Sequence, residues 1–300
     1  MSVAALVKEL RDKTGAPMMD CKKALAECND NLEQAVDWLR KKSAALAGKK
    51  ADRVSAEGMV GVGVKTHGAQ QVGVLVELNS ETDFAAKNDR FVALLDGLVE
   101  AGFSAGGDLE KLKSVKLPSG KTAADAVTES VGVIGENLQV RRCAELCGQV
   151  VVPYVHNKVS ESAGKIGVLV AGTTTGNKDA AAEFLKKVAM HVAAFRPQSL
   201  KTEELDQSLV ERERNVLTEQ ARESGKPEAV IEKMIEGRIR KFYSEVVLLE
   251  QLFVMDNKTP VKDALKEAQK EIGGELTVTG YACFVLGEGV DREASEAQAA

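Results

Sequence analysis

Apolar positions in the first fifty residues repeat at helical spacing in three short stretches. The three apolar stripes are Leu6, Val7 and Leu10; Met18, Met19, Leu25 and Cys28; and Leu32, Val36 and Leu39. Thr14-Gly15 and Asn29-Asp30 separate them, and both pairs are typical of helix ends. The connections are short, so the pattern predicts a compact three-helix bundle, which is a small binding module.

The pattern changes to strand periodicity after this bundle. Alternating apolar residues at 59–64 and 72–78, with a polar turn between them, predict an antiparallel hairpin. Helical patterns follow at about 89–101 and 123–138.

A sequence repeat links the first hairpin to a later part of the chain. Gly-Val-Leu-Val at 73–76 returns at 167–170, each time as the second arm of a hairpin that precedes a helix. The offset of 94 residues is too long for a solenoid repeat. We therefore predict two related α+β subdomains with antiparallel sheets.

The last third of the chain begins with two charge-rich helical patterns, at 202–223 and 228–249. Gly225-Lys226-Pro227 joins them, which predicts a protruding antiparallel helical hairpin suited to pairing with a second copy of the chain. A helix at 261–272 and a strand at 276–285 follow. The predicted units are 1–54 (bundle and basic linker), 55–145 (first subdomain), 146–200 (second subdomain, first part), 201–250 (hairpin), 251–287 (rest of the second subdomain with a C-terminal module) and 288–300 (acidic, Ala-rich tail).

Composition and charge narrow the class of protein. The chain has 300 residues, no long apolar run and no secretory signal pattern, so we expect a cytoplasmic protein without a membrane span. A net charge of −5 and few aromatic residues argue against a nucleic-acid partner. Residues 1–54 nevertheless carry eleven Lys and Arg against eight Asp and Glu. The basic run at 40–53 is read as a solvated linker in preference to a nucleic-acid patch.

Candidate reaction chemistry is sparse. Five cysteines at irregular spacing are typical of reduced thiols, and no metal-ligand set is recognisable. Ser119-Gly120-Lys121-Thr122 lacks the first glycine of a phosphate-binding loop. His191 lies in an apolar helical pattern and is read as a packed structural histidine. These observations disfavour an enzyme.

The most informative residue emerges when the two repeats are compared. Phe84 stands after the first Gly-Val-Leu-Val strand where the second copy has Lys178. A ring in this loop either fills a gap in its own core, which composition favours, or protrudes toward a partner. Thr82 and Asp83 have a simpler alternative role as helix N-caps.

Several motifs resemble a known family. The opening Leu10-Arg11-x-x-Thr14-Gly15-Ala16-x-Met18-Met19-Asp20-Cys21-Lys22-Lys23-Ala24-Leu25 and the segment Thr82-Asp83-Phe84-x-Ala86-Lys87-Asn88 are similar to the two signatures of bacterial elongation factor Ts. Further matches are Ile134-Gly135-Glu136-Asn137, Met190-His191-Val192-Ala193-Ala194, Glu236-Gly237-Arg238 and Phe253-Val254-Met255. Pro17 and Ala85 depart from the family, where Gly and Val are common.

The resemblance implies a guanine nucleotide exchange factor for the GTPase elongation factor Tu, with a UBA-like bundle and no reaction chemistry, cofactor or nucleotide site of its own. It implies that Thr82, Asp83, Phe84 and Ala85 approach the Mg²⁺ and phosphate region of the GTPase. It also implies secondary partner contacts at Lys23, Ile134, Gly135, His156, Met234 and Ile235, and dimerisation through the helical hairpin.

Two other functions stay open from the sequence. An RNA-binding or adaptor protein would act through residues 1–54, with RNA affinity that falls steeply with salt. An α+β enzyme would require a pocket in which scattered His, Cys and carboxylate groups converge.

Overall fold

A computed structural model describes residues 2–222 and 227–291. The helices are α1 (Val3–Thr14), α2 (Met18–Glu27), α3 (Leu32–Lys50), α4 (Asp83–Ala86), α5 (Asp89–Ala105), α6 (Leu109–Ser114), α7 (Ala123–Ile134), α8 (Lys178–Phe195), α9 (Gln207–Arg222), α10 (Glu228–Val246) and α11 (Val261–Ile272). The strands are β1 (Glu57–His67), β2 (Gln70–Ser80), β3 (Gln139–Gly148), β4 (Val150–Lys158), β5 (Ala163–Thr174) and β6 (Leu276–Val285), and a 3-10 turn covers Thr202–Glu204. The predicted α+β class is confirmed.

The predicted N-terminal three-helix bundle is confirmed. Its small core contains Leu10, Cys21 and Leu25, all fully buried. Helix α1 ends because Gly15 takes a left-handed conformation, with φ of 66°. A side chain at Gly15 would also collide with Arg90 of α5, whose guanidinium lies 1.7 Å from the position of a Cβ.

The basic run after the bundle differs from its prediction as a solvated linker. Helix α3 continues through it to Lys50 and packs along α7, where a Cβ on Gly132 would lie 2.0 Å from Ser43 Oγ. The run forms ion pairs within the chain: Arg40 with Asp125 (3.3 Å), Lys42 with Asp20, and Lys50 and Arg53 with Glu81 (3.6 and 3.2 Å). Packing against α7 and these carboxylates therefore keeps the segment helical.

The first repeat forms the predicted hairpin of β1 and β2, and α5 packs on it. A third strand, β3, pairs antiparallel with β2 and was not predicted. The helical pattern read to residue 138 ends earlier, at Ile134, because Gly135 adopts a left-handed conformation with φ of 82°. The following residues then have room to turn back and enter β3.

The second repeat forms the predicted hairpin of β4 and β5, covered by α8, and β6 pairs with the other edge of β5. The two repeats join through a two-residue pairing between β1 and β5, at Val60–Gly164 and Gly61–Ala163. The strands thus form one six-stranded antiparallel sheet in the order β3-β2-β1-β5-β4, with β6 beside β5.

The repeated Gly-Val-Leu-Val sequence lies where the two repeats pack on each other. A Cβ on Gly73 would lie 2.8 Å from Leu169 Cδ2, and a Cβ on Gly167 would lie 3.1 Å from Leu75 Cδ2. Leu75 and Leu169 are fully buried in the cluster between the repeats. Each copy therefore places its glycine against the leucine of the other, an arrangement with approximate two-fold symmetry.

The C-terminal third contains the predicted hairpin helices α9 and α10, which pack on each other. Leu205, Val210 and Val247 form a small core at their base. Helix α10 ends at Val246, three residues before its predicted end, whereas α11 and β6 have the predicted bounds. The predicted turn residues Gly225 and Lys226, and residues 292–300 of the predicted tail, lie outside the described residues.

None of the helices in the described part of the chain is long and apolar enough to cross a membrane.

Candidate functional site

Phe84 protrudes from the first repeat. Its side chain is 79% exposed, so the interpretation that the ring fills its own core is wrong. The ring belongs to α4, a four-residue helical turn whose last two residues, Ala85 and Ala86, are buried. The two alanines anchor the turn against the sheet because their small side chains let it approach closely, and Phe84 is left on the outer face.

Thr82 caps this turn, as its alternative role suggested. Its Oγ1 accepts a hydrogen bond from the backbone N–H of Ala85 at 3.3 Å. The same residue is held from outside the turn. The Thr82 hydroxyl donates to Glu136 Oε1 at 2.7 Å, and the Thr82 backbone N–H donates to Glu136 Oε2 at 2.9 Å.

A second pair of contacts holds Glu81 and Asn137, the residues next to Thr82 and Glu136. Glu81 Oε1 accepts from the Asn137 backbone N–H at 2.6 Å, and Asn137 Nδ2 donates to the Arg53 carbonyl at 2.8 Å. Burial alone would raise the pKa of Glu81, but the Asn137 N–H and the charges of Arg53 and Lys50 outweigh it, so the pKa lies below its usual value. Glu81 is therefore a carboxylate that ties together α3, the Phe84 turn and the end of α7.

Asp83 lies beside the ring. Lys87 Nζ donates to Asp83 Oδ2 at 2.7 Å and lies 5.6 Å from the centroid of the Phe84 ring. The hydrogen bond from Lys87 is the main cause that lowers the pKa of Asp83, with a smaller contribution from the charge of Lys165. The exposed face of the turn therefore presents an aromatic ring next to an ionised carboxylate. Because Asp83 is the first residue of α4, it is not the cap.

The other predicted contact residues fall into two groups. Ile134 and Gly135 end α7 and directly precede Glu136, so the structure places them beside the Phe84 turn. The remaining four lie on separate elements. Lys23 is exposed on α2, and its Nζ lies 6.0 Å from the centroid of the Trp38 ring. His156 is exposed on β4, and its Nδ1 forms a hydrogen bond with Tyr154 Oη at 3.1 Å. Met234 and Ile235 are half-buried on α10.

Two exposed methionines lie near Lys23. Met18 and Met19 at the start of α2 are 57% and 71% exposed. Met19 and Lys23 are four residues apart and so share one side of the helix. This bundle face thus offers flexible apolar side chains next to a positive charge, a combination suited to protein contacts.

Sequence reasoning missed a buried ionic cluster centred on Glu77 of β2. Glu77 is fully buried, and Arg141 (3.1 Å), Arg142 (2.6 Å) and the backbone N–H of Gly287 (3.0 Å) all donate to its carboxylate. The sequence could have indicated this cluster, because a glutamate inside an apolar strand needs paired donors when it is buried, and two consecutive arginines occur later in the chain. The cluster joins β2, β3 and the residues after β6.

His191 is packed, in agreement with its sequence interpretation. The ring is fully buried; its Nδ1 accepts from the Val254 N–H at 3.2 Å, and its Nε2 lies 2.9 Å from Gln251 Oε1. The acceptor role of Nδ1 places the proton on Nε2. Burial lowers the pKa of His191, so the ring is neutral. His191 thus joins two of the matched motifs, around 190–194 and 253–255.

The enzyme alternative required converging reactive groups. A groove of about 560 Å³ is lined in part by Glu204, Cys283 and Glu288. Burial raises the pKa of Cys283 to about 11, so its thiol stays protonated and is a poor nucleophile. No group of three or more His, Cys, Asp or Glu side chains placed to hold a metal occurs among the described residues.

The feature that stands out on this fold is the exposed Phe84 ring on its firmly held turn. The chain matches the family "Elongation factor TS" over residues 81–288. It is 50% identical over 293 residues to elongation factor Ts of Bartonella bacilliformis (97% of this chain, 94% of that protein). It is 49% identical over 296 residues to that of Agrobacterium fabrum (98% and 95%). The chain therefore belongs to the elongation factor Ts family of translation factors.

Proposed function

We propose that this protein is the guanine nucleotide exchange factor for elongation factor Tu and that it releases GDP by inserting the segment Thr82–Ala85 near the Mg²⁺ and phosphate region of the GTPase. The observation that carries the proposal is the 79% exposure of Phe84 on a turn anchored by two buried alanines. Exposing a ring costs hydrophobic free energy, so a partner that covers it provides a reason for its place.

Each residue of the segment has a separate part in this mechanism. Phe84 wedges between side chains of the GTPase and shifts the elements that hold Mg²⁺ and the β-phosphate. Asp83 brings a negative charge to the same region, because its lowered pKa keeps it ionised. Thr82 caps the turn, and Ala85, buried beneath it, supports the turn without presenting its own side chain. Ala85, where the family commonly has Val, therefore affects how the turn beneath the Phe84 ring is supported, and not a direct contact with the partner.

The energetics follow from linkage. If the factor binds the nucleotide-free GTPase more tightly than the GDP form, GDP binds the complex more weakly by the same factor, at about 1.4 kcal/mol per tenfold. Displacing Mg²⁺ contributes because the ion neutralises phosphate charge. Exchange of this kind needs no proton transfer and no covalent step by the factor.

The secondary contacts extend the same interface. We assign Ile134 and Gly135, which adjoin the Phe84 turn, and Lys23, His156, Met234 and Ile235 on other elements as further contacts with elongation factor Tu. The protein then grips its partner at separated places, so that binding energy from remote contacts is available to distort the nucleotide site.

We also propose that the hairpin of α9 and α10 pairs two copies of this protein. Val216 and Val230 are 44% and 43% exposed on these helices, and covering them favours association. Sedimentation of the full chain and of a Val216→Asp, Val230→Asp double variant tests the pairing. A dimer that the double variant weakens supports it, and a wild-type monomer at high micromolar concentration contradicts it.

A GDP-release experiment tests the exchange function. Elongation factor Tu loaded with fluorescent GDP is mixed with excess unlabelled GDP in a stopped-flow instrument, with and without the factor. We expect the wild-type chain to accelerate release and Phe84→Ala to lose about thirtyfold or more of that acceleration, the size of a hot-spot truncation. Lys178→Ala, at the equivalent position of the second repeat, is the matched control and should act like wild type.

Two outcomes would contradict the proposal. If the wild-type chain leaves GDP release unchanged, the exchange function is wrong. If Phe84→Ala releases GDP as fast as wild type, exchange occurs but not through the ring. The RNA-binding alternative receives no support from the basic run, because four of its cations are paired with carboxylates of the chain.

A further inference from the structure

The turn that carries Phe84 is too short to hold its own position. Helix α4 has four residues, and an isolated helical turn of this length is unstable in water because nucleation costs more than its hydrogen bonds return. The buried alanines fix its depth on the sheet, but alanine methyl groups give little directional control. The direction of the Phe84 ring therefore depends on polar contacts made from outside the turn.

Glu136 supplies those contacts through both oxygens of one carboxylate. Oε2 accepts from the Thr82 backbone N–H at 2.9 Å, and Oε1 accepts from the Thr82 hydroxyl at 2.7 Å. Because the hydroxyl proton points to Glu136, the lone pairs of Thr82 Oγ1 remain for the Ala85 N–H at 3.3 Å. Hydrogen bonds to a charged acceptor are the stronger kind, so this relay sets the orientation of the turn.

Glu136 is itself firmly placed. It follows Gly135, whose φ of 82° lets the chain leave α7 sharply, and it precedes Asn137, which is 7% exposed and bonded to both Glu81 and Arg53. Residues 81–82 and 136–137 thus exchange hydrogen bonds in both directions. Whatever moves the end of α7 also moves the Phe84 turn.

We propose that Glu136 is a positioning residue for nucleotide exchange, acting on the GTPase only through the orientation it gives to Phe84. This inference rests on the proposed exchange function. It predicts that loss of the Glu136 carboxylate slows the distortion of the nucleotide site while most of the affinity for elongation factor Tu remains, because the other contacts are intact.

The test compares Glu136→Ala with Glu136→Gln. Alanine removes both hydrogen bonds, whereas the glutamine amide can accept from the Thr82 N–H and donate to Thr82 Oγ1, so it retains the geometry without the charge. Glu129→Ala is the matched control, since Glu129 is a nearby carboxylate, within α7 itself, that pairs with Lys121 and not with Thr82. Each variant is measured for maximal GDP release at saturating factor, for Kd with nucleotide-free elongation factor Tu, and for hydrogen exchange of the Ala85 amide.

We expect Glu136→Ala to lower the maximal release rate about tenfold with a change in Kd of less than about threefold. Its Ala85 amide should exchange about tenfold faster, while amides of α5 keep their protection. Glu136→Gln should recover most of the rate, and Glu129→Ala should match wild type. If Glu136→Ala does not fold, Thr82→Val, which removes only the hydroxyl of the relay, decides instead and should lower the rate in the same way.

The outcomes separate the two proposals. If the wild-type chain fails to accelerate GDP release, the exchange function itself fails. If wild type accelerates release and Glu136→Ala does so equally well, only the positioning role is overturned. The positioning role is also overturned if Glu136→Ala slows GDP release only by weakening the affinity for elongation factor Tu, or if Glu129→Ala slows release to the same extent.

Discussion

The two repeats share a hairpin with a helix packed on it, and they differ at the entry from the second hairpin strand into that helix. In the second repeat, Asn177 caps α8, which then runs unbroken to Phe195. In the first repeat, the corresponding helix is split: α4 forms a separate turn, and Asn88 caps a second start at Asp89. The counterpart of Asn88 at the offset of 94 residues is Ala182, which lies inside α8.

Phe84 lies on the separate turn in front of this split. Behind it, Phe91 of α5 and Leu185 of α8 occupy equivalent core positions, and both are largely buried. The repeats therefore keep an apolar residue at this core position of each helix, whereas the turn in front of the helix differs. The candidate site therefore lies at the turn where the first repeat differs from the second, and not in the part that the two repeats share.

The largest expected effect tests the symmetry of the shared core. Gly167→Ala would place a methyl 2.6 Å from Val60 Cγ1, and Gly73→Ala would place one 2.8 Å from Leu169 Cδ2 and Val151 Cγ1. We expect each to lower the free energy of unfolding by about 1–3 kcal/mol, with the greater loss at Gly167 because the added methyl would come closer to its neighbour there.

Urea unfolding checks this prediction. Gly48→Ala is the control, because a Cβ there meets nothing within 4 Å and alanine is a better helix former by about 0.5–1 kcal/mol. A pair of repeat variants in which only one loses stability would show that the glycines do not play equivalent parts.

A smaller effect is expected where the two helices differ. Asn88→Ala removes the cap whose Oδ1 accepts from the Arg90 N–H at 2.9 Å and should cost about 1 kcal/mol. It should also favour a continuous helix through Lys87 and so slow GDP release by turning Phe84. The reverse change, Ala182→Asn, should cost about 0.7 kcal/mol without altering release. Equal release rates in wild type and Asn88→Ala would show that the split is not needed for the site.

The last expected effect concerns pH and belongs to the second repeat alone. His191 occupies the position where the first repeat has Gly97. Because burial lowers its pKa, the unfolded chain takes up a proton that the folded chain does not as pH falls below about 6.5. The free energy of unfolding should therefore fall between pH 7 and pH 5, by a slope of at most about 1.4 kcal/mol per pH unit for one group.

Urea midpoints at several pH values, for wild type and His191→Gln, measure this contribution. The variant should show a shallower slope over the same window, since glutamine does not titrate. A steeper or unchanged slope in His191→Gln would assign the pH dependence to other groups.

Much of the fold could be predicted from local sequence. Helix α11 and strand β6 have their predicted bounds because Pro260 and Gly273 delimit the helix and alternation marks the strand. Strand β3 was missed because Arg141 and Arg142 interrupt its alternation, and the reason they are tolerated, the buried Glu77, lies 64 residues earlier in the chain. The helical form of the basic run was missed for the same kind of reason, since its stabilising carboxylates and α7 are distant in sequence.

The sequence predicted where along the chain the candidate site lies, but it did not predict the geometry of that site. The repeat singled out Phe84, yet its exposure depends on the burial of Ala85 and Ala86, which local composition does not determine. The role of Glu136 depends on a contact across 54 residues. The contacts assigned to the partner, the domain boundaries and the cytoplasmic location stay predictions.

The buried carboxylate of Glu77 has a consequence for how the chain is made. One of its donors is the backbone N–H of Gly287, 210 residues further along the chain. Synthesis proceeds from the N-terminus, so β2 and its charged side chain leave the ribosome long before that donor exists. The carboxylate in β2 therefore acquires this bond only after the 210 residues that separate it from Gly287 have been synthesised, so the order of translation delays this closure of the sheet.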